Sequence, residues 1–104
     1  MENAEYKDAI CCTLNPSQLE ERKKVLQKLQ PLILEKTEIE KGYLFRFDGN
    51  NETMDQIVAI IKLERQCCPF LTFDLIVEKE ANPLYLKITG PEGTKDFLLL
   101  ELGL

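Results

Sequence analysis

Apolar and polar residues alternate over residues 6–14, with Ile10, Cys12 and Leu14 on one face and Ala9, Cys11 and Thr13 on the other. A period of two predicts a strand. Asn15-Pro16-Ser17 breaks this pattern and opens a helix, with Ser17 expected as N-cap and Glu20 completing a capping box. Its buried stripe is Leu19, Val25, Leu26 and Leu29, and Pro31 stops it near Gln30. Residues 32–40 form a weak, polar strand suited to a sheet edge. Lys41-Gly42 is the expected turn into a stronger strand, residues 43–47, with Tyr43, Phe45 and Phe47 on one face and Leu44 and Arg46 on the other.

A second helix is expected over residues 53–68, ended by Pro69. At ~100° per residue, Met54, Ile57, Val58, Ile61 and Cys68 share its apolar face, with Ile60 and Cys67 on the flank and Leu63 pointing away. Residues 70–79 read as a long strand with Leu71, Phe73, Leu75 and Val77 on one face, and residues 84–89 as its hairpin partner with Leu84, Leu86 and Ile88 inward. The loop at residues 90–93 leads to a last helix over residues 94–102, presenting Phe97, Leu98 and Leu102.

The order of elements predicts a single α+β domain over residues 1–104. The first six match a ferredoxin-like βαββαβ unit, to which a C-terminal strand and helix are added. Right-handed crossovers would set the first strand between the third and fourth in an antiparallel sheet, with both main helices on one face. The alternative is another small α+β sandwich with the same elements in a different strand order.

Composition narrows the function. The formal net charge is −5, which disfavours an extended nucleic-acid footprint, since phosphate binding needs a basic surface. No apolar run approaches the roughly 20 residues of a membrane span, and residues 1–8 have no signal-peptide core, so a cytoplasmic setting is expected. The chain has four cysteines and no histidine. Imidazole metal sites and histidine-based triads are thereby excluded. In the cytoplasm the cysteines are expected as thiols. They stand as Cys11-Cys12 and Cys67-Cys68, with no C-x-x-C spacing.

Two charges, Glu64 and Arg65, fall beside Cys68 on the apolar face of the second helix. Charges there are costly unless paired or used. In the functional reading they tune a thiol: Arg65 favours a thiolate at Cys68, and Glu64 exchanges a proton. The negative end of the helix opposes this. In the plainer reading both sit at the rim and the cysteines fill the core. The expected topology brings Cys12, Cys67 and Cys68 to one sheet edge, together with the start of the first helix and the loop at residues 89–93, while Cys11 faces away.

The residues Cys12-Thr13-Leu14, Leu19, Glu21-Arg22, Glu64, Arg65, Cys67-Cys68-Pro69-Phe70, Phe73 and Thr89-Gly90-Pro91-Glu92-Gly93 give the chain a likeness to a known pattern. It resembles a family of small, mostly uncharacterised bacterial proteins carrying a Glu-x-x-Cys-Cys-Pro-Phe type motif, often found as neighbours of heavy-metal resistance or metal-responsive regulator functions. Cys11 is an addition to the usual single cysteine at that place. The resemblance implies thiol–metal work but carries no established activity.

The expected function is therefore cytoplasmic binding of a soft metal ion (Hg, As, Cu or Zn) through Cys12, Cys67 and Cys68. One alternative is a thiol enzyme with Cys68 as nucleophile and Glu64 as proton donor. Another is a non-catalytic regulatory or dimerising module with core cysteines, whose polar edge strand pairs with a second copy.

Overall fold

The computed structural model describes residues 15–79, 83–100 and 102–104, without the side chain of Cys67. The expected strand at residues 6–14, and with it Cys11 and Cys12, lies outside the described residues. The described elements are α1 (Pro16–Leu29), a 3₁₀ turn (Gln30–Leu32), β1 (Ile33–Ile39), β2 (Gly42–Phe47), α2 (Asn51–Cys67), β3 (Thr72–Val77), β4 (Leu84–Thr89) and α3 (Thr94–Leu100). Together they form a small α+β domain.

The four described strands are antiparallel in the order β1-β2-β4-β3. This corrects the ferredoxin-like expectation for these strands. The slot beside β2 and β3 intended for the first strand is filled by β4, which pairs with both. The residues explain the choice. Leu84, Leu86 and Ile88 are at most 1 % exposed, and the intervening Tyr85 and Lys87 are half-buried. A strand shielded on both faces belongs inside a sheet. By contrast, β1 is exposed from Leu34 to Glu38 and lies at an edge, as expected.

Buried side chains of all three helices join Tyr43, Phe45, Phe47, Leu84, Leu86 and Ile88 in one core cluster, so the helices cover one sheet face. Lys36 of β1 reaches over this core: its ammonium lies 4.5 Å from the Tyr43 ring centroid and donates to the Leu104 carbonyl at 2.7 Å. Lys95 of α3 donates to Glu38 of β1 at 2.8 Å. That hydrogen bond, and then the lysine charge, hold the exposed Glu38 carboxyl below its usual range.

The helix starts sit slightly earlier than the patterning implied. Asn15, not Ser17, caps α1: its side chain accepts from the Gln18 amide at 2.8 Å, while Gln18 Oε1 accepts from the Asn15 amide at 3.0 Å. Pro16 at the first helical position explains the shift, since its fixed φ and missing N–H suit that place. Asn50 caps α2 by accepting from the Thr53 amide at 2.7 Å. Leu19, expected in the core, is 44 % exposed, while Val25, Leu26 and Leu29 are buried.

The turn between β1 and β2 also moves by one residue. Glu40 and Lys41 form it, with Lys41 at φ 71°, and Gly42 begins β2. Gly42 is needed for close approach of β4. A Cβ there would fall on the Ile88 carbonyl oxygen and stand 2.9 Å from Thr89 Cα. Both are backbone atoms, so no side-chain rotation relieves the clash.

Candidate functional site

The buried stripe of α2 is Thr53, Ile57, Ile60 and Glu64, with Cys68 at its C-cap; each is at most 1 % exposed. This stripe is rotated relative to the expected one. Leu63, expected to point away, is 8 % exposed, whereas Met54, Val58 and Ile61 are only half-buried. The rotation keeps Glu64 on the buried face and turns Arg65 out.

Glu64 is accommodated because a cation meets it. The Arg22 guanidinium of α1 donates to Glu64 Oε2, with side-chain exposures of 16 % for the arginine and 1 % for the glutamate. The other carboxylate oxygen, Oε1, accepts from the Cys68 thiol at 3.4 Å. Glu64 and Cys68 are one helical turn apart, the spacing that stacks side chains on one face. The Cys68 amide also closes the helix by donating to the Glu64 carbonyl at 2.6 Å. The result is a chain from a partly buried guanidinium to a buried carboxylate and thiol.

The surrounding corner is assembled from four segments. Gln18, at the start of α1, donates to Gln66 near the end of α2 at 3.2 Å. The Leu71 amide, just before β3, donates to the Cys68 carbonyl at 3.1 Å. Gly90 lies against Leu71 and the Phe70 carbonyl: a Cβ there would stand 3.1 Å from Leu71 Cδ2 and 3.4 Å from that oxygen. Phe70 meets Phe97 edge to face at 5.9 Å. The expected meeting of α1's start, α2's end and the loop at residues 89–93 is thus present.

The individual site residues divide. Glu64 and Cys68 come together. Arg65 is exposed and borders a shallow depression with Lys62 and Gln66, away from the buried stripe. The cation at the site is Arg22, which sequence reasoning did not place there. Its signal was present: Arg22 precedes Val25 and Leu26 by three and four positions, so it shares their helical face. Cys12 lies outside the described residues, and of Cys67 only the backbone, closing α2, is described.

This arrangement bears on chemistry. Cys68 is 0 % exposed, and its thiol donates to the Glu64 carboxylate. The arginine charge is directed at the carboxylate. Cys68 is therefore expected to react with iodoacetamide more slowly than a small free thiol at the same pH, measured by mass spectrometry of the alkylated peptide. Faster labelling would instead favour the enzyme reading, in which Cys68 is an activated nucleophile.

Among the described residues no helix is long and apolar enough to cross a membrane. Comparison of the chain with protein-family models, with curated proteins and with solved structures gives no match.

Proposed function

We propose that the chain binds a soft metal ion in the cytoplasm through Cys12, Cys67 and Cys68. The observation that carries this reading is the buried Cys68 thiol, held by Glu64 at the corner where α1 begins and α2 ends. Cys12 precedes Asn15 by only three residues. Three residues span at most about 10 Å even when fully extended, and Asn15 is tied to Gln18, which touches Gln66. Among the described residues no group of three or more metal-ligating side chains occurs, so the site depends on Cys12 and on the Cys67 side chain.

Thiolates bind soft ions in preference to hard ones. Two or three cysteines without histidine suit Hg(II) or As(III) better than structural zinc, which takes four ligands. Deep burial also favours a single ion over a bulky organic substrate. Each thiol that binds must release its proton, and the Glu64 carboxylate already accepts a hydrogen bond from that of Cys68.

Native mass spectrometry of the reduced protein with Hg(II) tests the proposal. One ion per chain is expected, and none when Cys12, Cys67 and Cys68 are all replaced by serine. Unchanged stoichiometry in that folded triple variant would sink it.

A further inference from the structure

Among the described residues β1 pairs with β2 alone. Its residues Leu34 to Glu38 are exposed in unbroken succession, whereas no residue of β4, which is paired on both sides, is exposed. An open edge of this kind offers backbone N–H and C=O groups to another strand. The edge is also ordered. The Lys36 ammonium donates to the Leu104 carbonyl and lies over the Tyr43 ring. The Glu38 carboxylate accepts from Lys95 while its side chain stays 65 % exposed. Side chains already held in place lose less freedom when a partner arrives. The irregularity in the β1–β2 register falls between Ile33 and Glu35, so residues 36–39 pair regularly.

We propose that β1 pairs with β1 of a second copy, antiparallel about a twofold axis at Thr37, so that Lys36 of each chain stands opposite Glu38 of the other. A twofold axis normal to the sheet keeps both sheet faces continuous, and antiparallel residues that stand opposite each other share a face. Odd positions therefore meet odd ones, and even positions meet even ones. Registers that set Lys36 against Lys36, Glu35 against Glu35 or Glu38 against Glu38 oppose like charges, which is destabilising. The register centred on Thr37 avoids all three. It repeats the Lys36–Glu38 pair on either side of the axis, sets Thr37 against Thr37 and sets Glu35 against Ile39. The charge order of β1, rather than apolar area, thus selects the partner and fixes the register. One added strand pair buries less than the ~1,200 Å² at which stable complexes begin, so the dimer is a weak one. It is built from β1 and stands apart from the soft-metal reading.

Sedimentation velocity at low ionic strength, from about 10 µM to about 1 mM, spans the affinities of such weak contacts. The parent is expected to move from monomer toward dimer across this range. Lys36→Glu and Glu38→Lys each oppose like charges on both sides of the axis, and each should weaken dimerisation at least roughly tenfold. An equimolar mixture of the two single variants puts opposite charges back across the axis, as does the double variant Lys36→Glu/Glu38→Lys. Both should dimerise about as well as the parent. This recovery separates cross-strand pairing from loss of the contacts to Leu104 and Lys95, which stay broken in mixture and double variant alike. Circular dichroism confirms folding, and if a single variant does not fold, the double variant decides. The inference is overturned if the parent stays monomeric over the whole range, if the folded single variants dimerise like the parent, or if neither the mixture nor the double variant recovers.

Discussion

Arg22→Met is expected to destabilise the protein by about 3 kcal/mol in urea unfolding, at the lower end of the range for breaking a buried ion pair. The loss comes less from the missing contact than from what stays behind. Glu64 is fully buried, and among the described residues the Arg22 guanidinium is the cation that meets it. Arg22 retains partial access to solvent, so Glu64→Gln should cost less, since the stranded guanidinium can turn outward. The double variant Arg22→Met/Glu64→Gln should recover much of the loss, because no buried charge remains. A near-additive cycle would show that the pair is not coupled. A cost of Arg22→Met under about 0.5 kcal/mol, typical of a surface change, would mean that water reaches Glu64.

Phe45→Ala is expected to cost about 3–5 kcal/mol, the range for deleting a buried phenylalanine ring. Phe45 is 0 % exposed on β2, a strand paired on both sides. Its ring lies 6.1 Å from that of Tyr43. Its neighbours across the sheet are Lys36 and Leu86. The backbone of β2 is held by both neighbours, so it cannot collapse into the vacated space. Thermal unfolding should fall by about 4–8 °C for each kcal/mol lost in a domain of this size. A drop of only a few degrees would show that the core repacks around the deletion.

Much of the fold was legible in local patterning. The period of two in residues 43–47 and 84–89 grouped Tyr43, Phe45 and Phe47 on one face and put Leu84, Leu86 and Ile88 inward, and all six are buried. Alternation reports burial because successive strand residues point to opposite faces. The polar run at residues 33–39 correctly indicated an edge. The helical phase of α2 was harder to read. The apolar face drawn through Met54, Ile57, Val58 and Ile61 competes with the stripe Thr53, Ile57, Ile60 and Glu64 actually buried. Hydrophobicity prefers the first, since Met54, Val58 and Ile61 are more apolar than Thr53. The second wins because Arg22 neutralises Glu64 and lets Ile60 and Leu63 turn inward.

The candidate site follows the same division. The four-residue spacing of Glu64 and Cys68 predicts their contact from helix geometry alone. Arg65 was expected to tune Cys68 from the same helical face, but it is exposed, turned away from the buried stripe. The cation that meets Glu64 comes from α1, through the packing of two helices against each other.

By itself, the sequence determined the kinds of element, most of the inward-facing residues, the absence of imidazole chemistry and the Glu64–Cys68 contact. These follow from composition or from spacings within one turn or one strand. Only the tertiary structure decided that β4 lies between β2 and β3, that α2 buries its glutamate, and that Arg22 rather than Arg65 meets it. The physical reason is that those outcomes depend on which surfaces meet across the chain. Several strand orders satisfy the same alternation, and a buried charge is tolerable only once its distant partner is in place.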